Sequence, residues 1–228
     1  MIPPGSRGTA LDRPGATLAA MTARTEAPIS PGLYLPTADQ RVGMLGRSWA
    51  DYEAQLALQG DSSRPKLAYL DGAIELMSPA RDHERINSRI GRVIDAYLVQ
   101  RGLRGIPNGE WTLKNAAKDA GCQPDECYLF GDKPDDQTRP DLVIEINWSR
   151  GGIDKLEIYR RLEIPEVWFW EDDAIAVYTL AGDAYQRRER STFLPDLDLG
   201  FVCSILDLDS LSAIHAAMAE RLRTEVDG

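Results

Sequence analysis

The chain has 228 residues, a formal net charge of −10 and 43% hydrophobic residues, a composition that excludes general disorder. One domain with an unstructured extension is the simplest organisation for this length. No apolar run approaches the ~18 residues of a membrane helix, and no segment near the start has the pattern of a signal peptide. The three cysteines lack the spacing of a disulfide framework or a zinc site. We therefore expect a soluble cytoplasmic protein.

Positive charge is concentrated in one region of this acidic chain. Residues 81–118 carry a net charge of +4, which leaves −14 for the rest. An ordinary solvated helix face is the simpler explanation of this region. A surface that faces a polyanion is the alternative, because binding to nucleic acid requires basic groups.

The first elements in chain order follow a proline-rich start. Residues 1–43 contain six of the 14 prolines and show no apolar period, which predicts a flexible N-terminal segment before a domain over 44–228. Ser48 is expected to cap a helix over 49–59 that ends at Gly60. A hairpin over 66–78 then turns at Asp71-Gly72, a strong two-residue turn signal.

A long helix is predicted next, over about 82–100. Its apolar face recurs at helical spacing: Ile86, Ile90, Val93, Ile94, Tyr97 and Leu98. Four arginines at steps of four, four and three form a basic ridge beside this face: Arg81, Arg85, Arg89 and Arg92.

The rest of the chain alternates strands with helices. Strands are predicted over 103–113, 125–130 and 142–147, then a helix over 153–162. A strand pair over 166–170 and 174–178 turns at Asp172-Asp173, and a C-terminal helix covers about 207–223. This pattern predicts an α/β fold in which a mixed β-sheet is flanked by α-helices.

The strongest chemical signal is a carboxylate inside an apolar strand. Glu145 faces opposite to Leu142, Ile144 and Ile146, and burying it is costly unless it is paired or bound to a metal. Asp141 lies ~13 Å away along the strand, too far to share an ion, and is better explained as a strand-entry residue. Asp125 opens the preceding apolar strand and is the better partner, although a purely structural Pro-Asp strand start is the alternative.

A lysine is directed toward the same region. Lys155 shares a helix face with Ile158, Tyr159 and Leu162, so it points toward the sheet at the start of that helix. Gly151-Gly152 allows the chain to turn sharply before it. Such a lysine is either an ion-pair partner or a catalytic group.

Six segments together resemble the Uma-type restriction endonuclease family of the PD-(D/E)XK nuclease superfamily, over about residues 45–200. They are DGAIELMSP (71–79), His83, QPD (123–125), LVIEI (142–146), GGIDKLEIYRR (151–161) and PEVWFW (165–170). The resemblance implies a restriction-endonuclease-like fold and metal-dependent hydrolysis of DNA phosphodiester bonds.

The resemblance also implies roles for individual residues. Asp125 and Glu145 match the two acids that hold Mg²⁺ or Mn²⁺, and Glu75 and His83 match further catalytic positions. The place two residues after Glu145, usually lysine, is Asn147 here. The resemblance therefore implies that Lys155 supplies the amine.

The implied partner is DNA, held through phosphate contacts by the arginine ridge. A non-catalytic nuclease-fold binding module and a metal hydrolase of small phosphate esters are the rival functions. His83 is also explained as a packing histidine, and Trp168 and Trp170 are more simply core residues than base-stacking ones. Whether the chain forms a homodimer stays open.

Overall fold

The computed structural model describes residues 38–109, 111–132, 138–147 and 151–226. The elements in chain order are β1 (Gln40–Met44), α1 (Trp49–Gln59), β2 (Lys66–Leu70), β3 (Ala73–Ser78), α2 (Arg81–Arg101), β4 (Gly105–Pro107), β5 (Leu113–Asn115), β6 (Ala120–Cys122), β7 (Glu126–Phe130), β8 (Leu142–Ile146), α3 (Lys155–Arg161), β9 (Glu166–Glu171), β10 (Ala174–Ala181), β11 (Ala184–Arg188), α4 (Leu199–Ile205) and α5 (Leu211–Val226). Among the described helices, none has both the length and the apolar content needed to cross a membrane.

The described strands form two sheets. The first has the order β1-β3-β2-β6-β5, and all of its neighbours are antiparallel. The second has the order β11-β10-β9-β8-β7-β4, in which β8 and β9 are parallel and the other pairs antiparallel. The parallel pair is joined through α3, because parallel neighbours need a long crossover connection. The mixed α/β architecture expected from the sequence is confirmed.

Strand β8 is buried on both faces. Leu142, Ile144 and Ile146 pack with the apolar stripe of α2 and with Trp168. Val143, on the other face, packs in a second cluster with residues of α3. The core positions predicted for Trp168 and Trp170 are confirmed, with 0% and 5% of each residue exposed. Glu145 therefore belongs to a strand that solvent reaches on neither face.

The predicted elements with local signals are present. A capping box between Ser48 and Asp51 begins α1, and Gly60 ends it. Asp71 and Gly72 both have positive φ, at 46° and 82°, as a tight hairpin turn requires. The second tight turn is formed by Asp172 and Asp173.

Two predicted elements were wrong in extent. In place of the strand predicted over 103–113 there is β4, limited to Gly105–Pro107, while β5 begins only at Leu113 and lies in the other sheet. Pro107 lacks a donor and Gly109 takes a φ of 55°, so the extended backbone is interrupted between them. The C-terminal helix predicted over about 207–223 runs from Leu211 to Val226. A separate helix, α4, precedes it, and Asp198 is the N-cap residue of α4.

The predicted N-terminal segment overlaps the first sheet. Gln40–Met44 pairs along β3, so ordered structure begins before the boundary predicted at residue 44. The overlap has a physical cause: Asp39 and Arg41 form ion pairs with His83 and Glu75, respectively. Residues 1–37, the rest of the predicted flexible segment, lie outside the described residues.

Truncation tests this boundary. A chain that begins at residue 44 is expected to lose about 3–5 kcal/mol of unfolding free energy, because removing Asp39 leaves buried His83 with one fewer acid. That loss lowers the melting temperature by on the order of 10 °C for a protein of this size. A chain that begins at residue 38 is the control and is expected to melt like the full chain. Equal melting temperatures for both truncations would show that β1 contributes nothing to the fold.

Candidate active site

The two acids predicted to act together lie at the same end of the β7–β8 pair. Glu126 pairs with Ile144 in this antiparallel ladder, and Asp125 immediately precedes β7, so its position comes opposite Glu145 where the ladder ends. Opposed side chains in such a ladder have Cβ atoms ~4.5–5.5 Å apart. Both residues are buried, with 2% and 4% exposed, and this is the pair of carboxylates that could share a cation.

Asp141 is directed elsewhere. It precedes β8 at the opposite end, where its Oδ2 accepts a hydrogen bond from the backbone N–H of Phe130 at 2.8 Å. This contact fits the strand-entry role expected for it.

Two side chains of α3 converge on Glu145. Its Oε1 accepts hydrogen bonds from Nζ of Lys155, at 3.0 Å, and from the hydroxyl of Tyr159. Burial raises the pKa of the Glu145 carboxyl against the effect of Lys155, and the nearby charge of Asp125 raises it further. For Lys155, burial lowers the pKa, but Glu145, Cys122 and Asp125 together outweigh it, so the pKa is raised and the amine stays charged. The pair is an ammonium held on a buried carboxylate.

Asp125 is held by cations as well as by the backbone. Nζ of Lys66 donates to Oδ1 at 2.6 Å, and the backbone N–H of Ile146 donates to Oδ2 at 2.8 Å. Nε2 of His83 lies 3.1 Å from Oδ2. Burial alone raises the pKa of Asp125, but Lys66 and His83 together hold it well below its usual value. Asp125 is therefore ionised at neutral pH.

His83 links Asp125 to Asp39. It is fully buried, and its Nδ1 lies 3.1 Å from Oδ1 of Asp39, an ion-pair contact like the one made by Nε2. Burial lowers the pKa of the imidazole, but the two carboxylates outweigh it and raise the pKa to about 9. His83 is therefore a charged bridge between two acids, which is more than the packing role considered for it from the sequence.

Glu75 occupies the far end of the same chain of contacts. Its Oε1 accepts from Arg41 at 3.1 Å, and Arg41 also contacts Asp39 at 3.3 Å. Its Oε2 accepts from the backbone N–H of Ile153, at 3.1 Å, just before α3. Glu75 thus joins the cluster through Arg41, and no hydrogen bond or ion pair among the described residues links it to Asp125 or Glu145. The contact with Glu75 explains why residue 152 is glycine, since a Cβ at Gly152 would lie 2.5 Å from Oε2 of Glu75.

The sequence interpretation missed four members of this cluster. Asp39 and Arg41 lie in the segment expected to be flexible, and nothing in their local pattern marks them. Lys66 opens β2, and at the end of a predicted hairpin nothing in its local pattern marks it as buried. Tyr159 was placed on the sheet-facing side of its helix, and its spacing of four from Lys155 was a signal that could have identified it.

The arginine ridge of α2 is less uniform than its spacing suggested. Arg89 donates to the backbone carbonyl of Leu206, which follows α4, so this guanidinium is engaged within the protein. Arg85 and Arg92 are exposed and lie near Asp82 and Asp95, at 3.6 Å and 3.7 Å. Arg81 is also exposed.

A cleft of about 730 Å³ opens beside Lys155. Asn147, at the end of β8, lines the cleft, and so do Arg41 and Trp170. Asn147 is exposed, and its backbone N–H continues the sheet by donating to the carbonyl of Trp170 at 2.8 Å. A ligand in the cleft can therefore reach the site at Lys155.

A mixed β-sheet flanked by helices, with two buried acids and a lysine beside them, is the arrangement that the resemblance to restriction endonucleases implied. The model of the Uma2 family, described as "Putative restriction endonuclease", matches residues 49–205, more than two thirds of the chain, and the chain belongs to this family. The match includes Glu75, His83, Asp125, Glu145 and Lys155 and begins after Asp39 and Arg41.

Among the solved structures similar to the chain is a protein from Anabaena variabilis ATCC 29413 titled "putative nuclease belonging to DUF820". It is 17% identical, the match covers 71% of this chain and 96% of that one, and the TM-score is 0.40. No curated protein matches the chain.

Proposed function

We propose that the protein is a divalent-metal-dependent endonuclease that hydrolyses DNA phosphodiester bonds. The observation that supports this most is that Asp125, just before β7, comes opposite Glu145 of β8, with a charged lysine held on Glu145. Membership of a family described as restriction endonucleases points to the same chemistry.

The donor set fits a hard cation. Carboxylate oxygens suit Mg²⁺ and Mn²⁺, and no hydrogen bond among the described residues uses Oε2 of Glu145. Within the described ranges, no group of three or more His, Cys, Asp and Glu side chains could hold a metal. Mg²⁺ keeps several waters and uses one or two carboxylates, so a pair of acids is the site it favours. Asp125 and Glu145 would hold the ion, with the carbonyl of Ile146 as a further oxygen ligand.

When bound, the ion supplies a more acidic water and charge stabilisation at the phosphate. The protein's own groups set the geometry around it. Tyr159 fixes the Glu145 carboxylate, and His83 keeps Asp125 ionised. Lys155, at the edge of the cleft, orients the attacking water or offsets negative charge that develops in the transition state.

The exposed arginines at the start of α2 are proposed to contact the phosphate backbone. Arg81→Glu combined with Arg85→Glu is expected to weaken DNA binding and to reduce the slope of log K against log salt by about two, since each lost phosphate contact removes ~0.9. Arg187→Glu with Arg188→Glu, on exposed β11, makes the same charge change and serves as the control. An unchanged slope in the α2 variant would place the DNA surface elsewhere.

A non-catalytic nuclease-fold module is the second candidate. Two observations favour it: Asn147 stands in the usual lysine position, and the cleft wall also carries acids that oppose the approach of DNA, namely Asp154, Glu171, Asp172 and Asp173.

One experiment separates the candidates. Purified protein is incubated with supercoiled plasmid and with single-stranded DNA, with and without Mn²⁺, and cleavage and gel shift are recorded together. We expect cleavage only with metal. A gel shift without cleavage would identify the binding module. If neither cleavage nor a gel shift is observed, a small phosphate ester is the substrate to test next.

A further inference from the structure

The ammonium of Lys66 lies beside Asp125, where the proposed function needs a divalent ion. Its Nζ donates to Oδ1 of Asp125 at 2.6 Å and to the carbonyl oxygen of Pro124 at 3.0 Å, and only 3% of its side chain is exposed. A carboxylate and a carbonyl are also the oxygen ligands that hard divalent ions take. Lys66 thus places a cation in an oxygen environment suited to a metal.

The two oxygens of Asp125 differ in how firmly they are held. Oδ2 is held by the backbone of β8 and by His83, which is itself fixed between two carboxylates. Oδ1 is held by Lys66, whose charge ends a flexible four-carbon stem. Residues 60–64, immediately before this lysine and its proline, are exposed, so the chain around it is not enclosed on that side. Oδ1 is the oxygen that can exchange one cation for another.

Among the described residues, the ion pairs of this cluster already join each acid to a base. The acids are Asp39, Glu75, Asp125 and Glu145, and the bases are Arg41, Lys66, His83 and Lys155. A divalent ion bound by Asp125 and Glu145 would meet three bases that already contact their oxygens: Lys66 and His83 on Asp125, and Lys155 on Glu145. Crowded positive charges are costly in a buried region, so one of these contacts must yield. His83 is fixed between two acids and Lys155 is kept by the proposed mechanism, so Lys66 is the base best placed to leave.

We propose that Lys66 is an internal competitor of the divalent ion: it holds Asp125 in the metal-free protein and leaves Oδ1 when the ion binds. This inference rests on the proposed function, because it takes Asp125 and Glu145 as the ligands. Lys66 then has two effects, stabilising the metal-free fold and weakening metal binding. A permanent structural ion pair has the first effect and not the second.

The test measures Mn²⁺ affinity directly, by the EPR signal of free Mn²⁺, together with melting temperature. Lys66→Met keeps the apolar stem without the charge, and Lys66→Gln keeps a donor toward Oδ1 in case the methionine variant does not fold. Both are expected to melt lower than wild type without metal, and to bind Mn²⁺ about tenfold more tightly or better, because one nearby positive charge is gone. Saturating Mn²⁺ is expected to restore most of the lost melting temperature. Lys114→Met, which removes a surface lysine paired with Glu53, is the control for loss of a positive charge.

Two other results would distinguish failure of the Lys66 proposal from failure of the proposed metal site. Unchanged or weaker Mn²⁺ binding in folded Lys66 variants, while Glu145→Gln abolishes binding, would overturn the competitor role and leave the metal site intact. Absence of Mn²⁺ binding in wild type and in both Lys66 variants would overturn the proposed metal site and this inference with it.

Discussion

Mn²⁺ binding is expected to be lost when Glu145 is changed to glutamine or Asp125 to asparagine, and DNA cleavage is expected to fall by about a thousandfold. Each change replaces one of two opposed carboxylates with a neutral amide, a much weaker ligand for a hard cation. A metal that stabilises transition-state charge contributes several kcal/mol, and ~4 kcal/mol is a factor of a thousand in rate. Calorimetric titration with Mn²⁺ and single-turnover cleavage measure the two effects.

Asp141→Asn is the matched control for these variants. It neutralises a buried aspartate beside the same strand, but one whose carboxylate accepts from the N–H of Phe130 at the other end of β8. We expect it to bind Mn²⁺ like wild type. Loss of binding in this variant, with Asp125→Asn unaffected, would move the metal site to the opposite end of the strand.

Lys155→Met is expected to reduce the cleavage rate by a factor on the order of a hundred or more while still binding Mn²⁺. The estimate follows the loss of a single transition-state donor. Because Lys155 is buried against Glu145, its removal also destabilises the metal-free protein. In this variant a bound dication offsets the charge of Glu145. The rate is therefore measured at saturating Mn²⁺, where the loss of stability is smallest.

Lys118→Met controls for loss of a lysine ion pair, since Lys118 contacts Glu163 in a more exposed pair. It is expected to cleave normally. Cleavage near the wild-type rate in Lys155→Met would remove Lys155 from the mechanism. Asn147 has no basic group to replace it, so another base would then have to be found.

Signals within a few residues were enough to predict the elements around the site. The Ser48 cap, the Asp71-Gly72 turn and the apolar period of α2 each act within one or two turns of chain. The alternation around Glu145 predicted its burial, and the helical spacing of Lys155 predicted its direction. Each of these features depends on the spacing of residue types along a short stretch of chain, which can be read from the sequence.

The parts that could not be predicted depend on contacts between distant segments. Gln40–Met44 has no alternating pattern, and it becomes a strand because β3 provides a partner edge. Lys66 resembles a solvent-facing end of a hairpin until β6 pairs with β2 and brings Asp125 beside it. Asp39 reaches His83 only through the first sheet. Three of the eight charged residues named for this cluster, Asp39, Arg41 and Lys66, were therefore invisible to spacing arguments.

The cluster also shows why the two acids alone describe the site incompletely. Asp125 is ionised because Lys66 and His83 surround it, and Glu145 is fixed by Lys155 and Tyr159. At the proposed metal site, these partners would decide how readily a cation enters and how the carboxylates are oriented when it does, as outer partners do in metal sites generally.

The most direct test of the central claim is plasmid cleavage by three proteins purified in parallel: wild type, Glu145→Gln and Asp141→Asn. Each is assayed with Mn²⁺, with Mg²⁺ and with chelator. We expect wild type and Asp141→Asn to nick or linearise the plasmid only with metal, and Glu145→Gln to leave it supercoiled. Cleavage that persists in Glu145→Gln, or that proceeds with chelator, would contradict a metal-dependent nuclease centred on Asp125 and Glu145.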